Sequence, residues 1–170
     1  MTYQEIQGDL FLSLRNNEKF SNVECYCHCI ANDGKYGKGI APVFIYYVFN
    51  SDYWLKDYLA TRPWDGHGKA VVSQDYGYYN RPIIYECHLI TKESTYGKPT
   101  YDTLRESLVD LKNFIIKNNE SSLYRIETLK MPKIGCGLDK IKWDKVSYII
   151  KEVFFDVNID IKVYYLWNIC

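Results

Sequence analysis

Two glycine-bearing loops stand out for what their spacing lets a backbone do. One is Asp33-Gly34-Lys35-Tyr36-Gly37-Lys38-Gly39 and the other is Gly135-Cys136-Gly137-Leu138-Asp139. Glycine has no Cβ, so it reaches positive φ and lets successive N–H groups converge on one point. Where a helix follows, its N-terminus adds partial positive charge. The chemistry this suits is the holding of a phosphate. Neither loop is a nucleoside-triphosphate P-loop, because Gly39 is followed by Ile40 and not by lysine and a hydroxyl residue. Neither spells G-x-G-x-x-G. Each loop taken singly is equally a tight turn. The pair, in one short chain, points to a pyrophosphate gripped from two sides.

The six cysteines, Cys25, Cys27, Cys29, Cys87, Cys136 and Cys170, pose a different question. On a strand the first three share one face, too crowded along its edge for disulfides among themselves. With His28 between them and His88 beside Cys87, a metal site is one reading. C-x-C-x-C is not the C-x-x-C spacing of zinc knuckles, however, and no second pair follows. Reduced cysteines packed as small apolar side chains are therefore expected, with no metal and no cofactor. Cys136 precedes a helix, a position that can activate a thiol, but no histidine partner is identifiable for it. His67, in Asp65-Gly66-His67-Gly68, reads as a solvated loop residue.

The elements that must position these loops follow from periodicity and punctuation. Alternating or apolar runs predict strands over residues 2–7, 23–30, 70–75, 83–91, 128–134 and 159–166. Helices are predicted over 40–49, over 51–61 with Ser51 as its cap, over 100–118 and over 143–155. In the third of these, Leu104, Leu108, Leu111 and Ile115 keep helical spacing, and Asn118-Asn119 closes it. Residues 62–69 read as a loop, and the Tyr/Gly/Asn-rich stretch after Asp75 as a turn. Each glycine loop thus lies between a strand and a helix. Alternating strands and helices imply a sheet covered on both faces, a three-layer α/β/α sandwich. No repeat, low-complexity tract or linker interrupts the 170 residues, so one domain over 1–170 is expected.

Composition narrows the function classes. Lys+Arg and Asp+Glu both number 21, so the net charge is zero, without the basic excess of a non-specific nucleic-acid binder. Apolar runs such as the one from Val43 to Phe49 are too short to span a bilayer, and no signal region follows Met1. A soluble intracellular protein, cytoplasmic or nuclear and without membrane contact, is expected. Aromatic residues reach 16%, and Trp54 and Trp143 read as core anchors.

Longer strings carry a resemblance. Gly8-Asp9-Leu10-Phe11, His28-Cys29-Ile30 running into Gly37-Lys38-Gly39-Ile40-Ala41, Leu89-Ile90-Thr91-Lys92, and Lys98-Pro99-Thr100-Tyr101 are four of them. The fifth is Met131-Pro132-Lys133-Ile134-Gly135-Cys136-Gly137-Leu138-Asp139 with Trp143. Together, from Gly8 to Leu166, they resemble a macro domain. The likeness is greatest to the terminal ADP-ribose protein glycohydrolases, whose pattern is shared by ADP-ribose-1″-phosphate phosphatases and by antitoxins that remove ADP-ribose from DNA.

The resemblance implies a macro-domain-like α/β/α sandwich with a central mixed sheet. It implies that Asp9, with Leu10 beside it, accepts a hydrogen bond from the adenine amine, a role that suits an acceptor-only carboxylate. By itself Asp9 is equally a cap on the segment that follows. Gly37, Gly39, Ile40 and Ala41 match the first phosphate loop, and Gly135, Cys136, Gly137 and Leu138 the second. Tyr164 matches an aromatic stacked on adenine, although on its own it is a strand residue in a tyrosine-rich chain. Asn32 matches, loosely, an asparagine that contacts the distal ribose. Lys92 matches a lysine that attacks C1″ of that ribose, and Asp139 an aspartate that assists departure and release. Read singly, Lys92 is a strand-end cation and Asp139 a loop carboxylate. The match is poor over residues 62–81, and Lys35 and Lys38 make the first loop unusually basic. The implied activity is hydrolysis of ADP-ribosyl glutamate or aspartate, or of O-acyl-ADP-ribose, by a monomer. Its partner is ADP-ribose, ADP-ribosylated protein or ADP-ribosylated nucleic acid. Alternatives are a non-catalytic ADP-ribose reader, a 1″-phosphate phosphatase and a DNA ADP-ribose hydrolase.

Overall fold

The computed structural model of the chain describes residues 1–19, 22–48, 52–75 and 82–166. Its strands are β1 (Thr2–Gln7), β2 (Val23–Ala31), β3 (Lys69–Asp75), β4 (Ile84–Lys92), β5 (Ile126–Pro132) and β6 (Asp160–Tyr165). Its helices are α1 (Leu12–Arg15), α2 (Ala41–Val48), α3 (Asp52–Ala60), α4 (Tyr101–Ser121) and α5 (Trp143–Phe154). The strands form one sheet in the order β1-β6-β5-β2-β4-β3. Every neighbouring pair is parallel except β3 with β4, so the sheet is mixed.

Strand alternation sorts the side chains into two faces. Cys25, Cys27, Cys87, Leu89, Leu129, Met131, Ile161 and Val163 point to one face and pack on α4 and α5. Tyr26 and Ile84 point to the other, against Leu10, Phe11 and the α2 residues Phe44 and Val48. Ile30 and Ile90 follow them there, against Ala41, Leu55 and Leu59. The result is the three-layer α/β/α sandwich. The five described cysteines are free thiols, as expected; Cys170 lies outside the described residues.

The helix over the cysteine face begins with a reciprocal cap. The Thr103 N–H donates to Thr100 Oγ1 at 3.0 Å and the Thr100 N–H to Thr103 Oγ1 at 3.1 Å. This satisfies two N–H groups that an uncapped helix would leave bare. Leu104, Leu108, Leu111 and Ile115 then fill the apolar stripe.

Three details correct the sequence reading. Asn118 and Asn119 do not close α4, which runs on to Ser121. Asn119 instead accepts from the Ile126 N–H at 2.7 Å and donates to the Ile126 carbonyl at 2.8 Å, tying the helix to the next strand. β5 begins two residues earlier than predicted and ends at Pro132. The single-turn α1 was not predicted. The proposed Ser51 cap, Phe49 and the turn over 76–81 lie outside the described residues.

Candidate active site

The loop leaving β2 leads to α2 on one face, and the loop leaving β5 leads to α5 on the other. β2 and β5 are neighbours, so their exits diverge, the topology that in open α/β sheets places the ligand crevice at the carboxyl ends of the strands. Both glycine loops border it. Gly39, at φ 71°, turns toward the second loop: a Cβ there would lie 3.6 Å from Leu138 Cδ1. Gly135, at φ 73°, has the Ile141 side chain packed where a Cβ would go. Gly37 and Gly137 have open space at that position. Ile40 packs below with Phe44, and Ala41 is buried at the start of α2. Cys136 is buried, and its N–H donates to the Lys133 carbonyl at 3.3 Å.

Lys92, the last residue of β4, is anchored from both sides. The Asn32 N–H donates to its carbonyl at 2.8 Å, and Thr103 Oγ1 donates to the Thr91 carbonyl at 2.7 Å. Asp33 draws the following turn in, accepting from the Thr95 N–H and hydroxyl at 2.9 Å. Burial pushes the Asp33 carboxyl up, but these bonds and the Lys35 contacts outweigh it and hold it below the ordinary value.

The side chain of Lys92 reaches the second loop, where Nζ donates to Asp139 Oδ1 at 2.6 Å. Both are mostly shielded, at 13% and 17% exposure, yet reachable. The fold thus unites two residues far apart in the chain as an amine and a carboxylate in proton-transfer contact. Cys29 lies beside them. Burial, then Cys27 and Asp139, push its thiol up, with Lys92 opposing.

The remaining sequence-predicted residues fall along the same edge. Asn32 opens the first loop, and its Nδ2 donates to the Arg62 carbonyl at 3.1 Å. At the far end, Asp9 Oδ1 accepts from the Phe11 N–H at 2.9 Å, and Oδ2 is ion-paired with Arg15. The turn-capping role of Asp9 is therefore real. Leu10 is buried in a cluster against which half-buried Tyr164 packs, and burial followed by the Glu24 charge pushes the Tyr164 hydroxyl up. Along the sheet edge the order is Asp9 and Tyr164 at β1 and β6, the second loop after β5, the first after β2, and Lys92 after β4.

Sequence reasoning did not bring together two buried polar groups under α1 and α2. Lys130 Nζ pairs with Glu24 Oε2 at 2.8 Å, and the Tyr26 hydroxyl donates to the same oxygen at 2.8 Å. Farther along, His28, His88 and Glu86 meet in the interior. Burial holds both imidazoles below the ordinary histidine value, His88 at about 3. The available signal was charged or imidazole side chains at inward positions of otherwise apolar strands.

No protein-family model matches the chain. It is 35% identical over 161 residues to ADP-ribose glycohydrolase OARD1 of Bos taurus, covering 95% of this chain and 90% of the relative. The Homo sapiens protein of the same name is 34% identical over the same shares. Among solved structures, the macrodomain of Mycobacterium tuberculosis DarG superposes with a TM-score of 0.74 at 19% identity, covering 96% of this chain and 97% of that one. Thermosipho africanus DarTG in complex with ADP-ribose gives 0.70 at 16%, covering 96% and 41%. These structural likenesses show the fold.

Proposed function

The chain belongs to the macro-domain family of ADP-ribose glycohydrolases, and from that premise we propose that it releases ADP-ribose from acidic side chains or small acyl esters through Lys92 and Asp139. The protein is an ADP-ribose-binding hydrolase. The finer assignment rests on one observation, the 2.6 Å contact between Nζ and the carboxylate at the mouth of the crevice. A protein that only reads ADP-ribose needs neither group.

The order of residues along the sheet edge matches the order of parts in the ligand. Asp9 and Tyr164 take the adenine, the two glycine loops take the diphosphate, and Asn32 and Lys92 take the distal ribose. Asp9 keeps lone pairs for the adenine amine beyond those used by Phe11 and Arg15. Gly37 and Gly137, open where a Cβ would stand, let the backbone approach the phosphates. Local N–H donors do the work that zero net charge leaves undone.

In the reaction, Asp139 takes a proton from Nζ as the amine lone pair attacks C1″. The C1″–O bond to the acyl group breaks, and the acid leaves as its carboxylate. Water then adds to C1″, the C–N bond breaks, and the proton returns to Nζ. One water is consumed, and ADP-ribose and the free acid are the products. One chain supplies both groups, so the acting unit is a monomer. Protein is the favoured carrier over nucleic acid, because no global positive field draws a polyanion.

A panel of substrates tests this: ADP-ribose on glutamate, on serine and on DNA, its acetyl ester, and its 1″-phosphate. Turnover of the glutamate conjugate and the acetyl ester is expected. Turnover confined to the DNA conjugate or the phosphate would reassign the substrate. Tight ADP-ribose binding with no turnover of any would make the protein a reader.

A further inference from the structure

β2 and β4 run in step from Glu24 against Ile84 to Ile30 against Ile90, and then the register shifts. Ala31 pairs with Lys92, which leaves Thr91 as an extra residue in β4. Up to that point the faces alternate regularly. Cys87 and Leu89 join the cluster over α4 and α5, whereas Ile90 packs with Ala41, Leu55 and Leu59 on the other side. Continued alternation would send Lys92 after Ile90, toward α2 and α3. The extra residue reverses this. Paired residues of neighbouring parallel strands share a face, and Ala31 lies two residues beyond Cys29, on the cysteine side. Lys92 accordingly donates to Asp139, in the loop that leads to α5. A slip of one residue would turn the amine away from that loop.

Bulges are rare between parallel strands, and next to active sites they re-aim a side chain. This one is tied on both sides. Thr103 Oγ1 donates to the Thr91 carbonyl at 2.7 Å, and the Asn32 N–H to the Lys92 carbonyl at 2.8 Å. Beyond Ala31 and Lys92 the strand pairing ends, and one mostly shielded side chain takes over. Asp33 Oδ2 accepts from the Thr95 N–H at 2.9 Å, and the Thr95 hydroxyl lies 2.9 Å from each carboxylate oxygen. A charged acceptor makes such bonds stronger than neutral ones. Were β4 to slip back by one residue, Thr95 would move about 3.3 Å along the strand, out of reach of Asp33.

We propose that Asp33 and Thr95 are positioning residues for the hydrolysis, holding the shifted register that aims Lys92 at Asp139. Neither needs to touch the substrate. This role rests on Lys92 being the attacking amine, and the clamp keeps that amine on the productive side of the sheet.

The test compares single-turnover hydrolysis of mono-ADP-ribosylated glutamate with calorimetric ADP-ribose affinity in folded variants. Thr95→Val keeps the N–H but loses the hydroxyl. It should slow hydrolysis about tenfold while affinity stays within about threefold. Thr95→Ser restores the donor and should return the rate to within about twofold of the unsubstituted chain. Asp33→Ala loses the whole clamp and should slow hydrolysis about 10²-fold. Adding Thr95→Val to Asp33→Ala should slow it no further, since both remove the same contact. Should Asp33→Ala not fold, the two Thr95 variants decide. Full-rate hydrolysis by Thr95→Val would overturn the positioning role. So would equal slowing by Thr95→Ser, an affinity loss as large as the rate loss in Thr95→Val, or additive losses in the double variant. Lys92→Ala, run alongside, separates the two claims. If it is inert while the clamp variants run at full rate, only the positioning role falls. If it hydrolyses at the unsubstituted rate, the lysine mechanism falls and the clamp's role with it.

Discussion

On one face of the sheet, Cys25, Cys27, Cys87, Leu89 and Met131 meet α4 and α5 in a continuous apolar cluster. On the other, the same strands bury Glu24, His28, Glu86, His88 and Lys130 beneath α1 and α2. Neighbouring residues thus serve opposite purposes, because successive side chains leave a strand on opposite sides. The cysteine face is stabilised by area removed from water, which is non-directional and tolerant. The other face depends on each charge finding its partner, so it is stable only in one arrangement. That arrangement lies under the loop and helix that flank the crevice. That difference locates the rigidity: the apolar face holds Lys92, through the Thr103 bond to Thr91, and the Cys136 loop, while the polar face lies under Tyr36 of the first glycine loop.

Breaking a pair on the polar face should cost most. Lys130→Ala strips the Glu24 carboxylate of its ammonium and is expected to lower unfolding free energy by about 3–5 kcal/mol. Denaturant melts measure this, and Lys130→Met combined with Glu24→Leu should restore most of it. A loss below about 1 kcal/mol would show that partnering does not govern this face.

On the cysteine face, Leu111→Ala opens a cavity in a fully buried stripe and should cost about 2–5 kcal/mol. ADP-ribose affinity of the folded variant should not change, because Leu111 sits in the middle of α4, beyond the Thr103 end that holds the strand of Lys92. A large affinity loss would break the division of labour between the faces.

The smallest effect is expected at the rim. Asp9→Ala removes a half-exposed ion pair and a turn bond, so stability should fall by no more than about 1 kcal/mol. Affinity for every adenine-bearing ligand should fall about tenfold, or about 1.4 kcal/mol, by calorimetry. Unchanged affinity would leave Asp9 as a turn cap only.

The legible parts of the fold were the long ones. α4 announced itself because Leu104, Leu108, Leu111 and Ile115 repeat over several turns. α1, a single turn, has no period to read, and a turn that short forms through packing, not propensity. Asn118-Asn119 read as a stop because asparagine favours helix ends; the bond from Asn119 to Ile126 is a tertiary contact that no local rule contains. In the candidate site, the glycine loops were visible as backbone chemistry. Lys92 and Asp139 were not, since their meeting depends on β4 and β5 flanking β2. Only the strings around them, matched to a family, marked the pair. The meeting of the two histidines was hidden for the same reason: only the register of β2 against β4 brings His28 to His88, on the face away from the cysteines.

The central claim is that Lys92 performs the chemistry while the loops perform the binding, and Lys92→Ala tests it most directly. Hydrolysis of mono-ADP-ribosylated glutamate should fall by on the order of 10³-fold or more. Calorimetric affinity for ADP-ribose should stay within about threefold, because the glycine loops proposed to hold the phosphates are untouched. Hydrolysis by the variant at the unsubstituted rate would contradict the account.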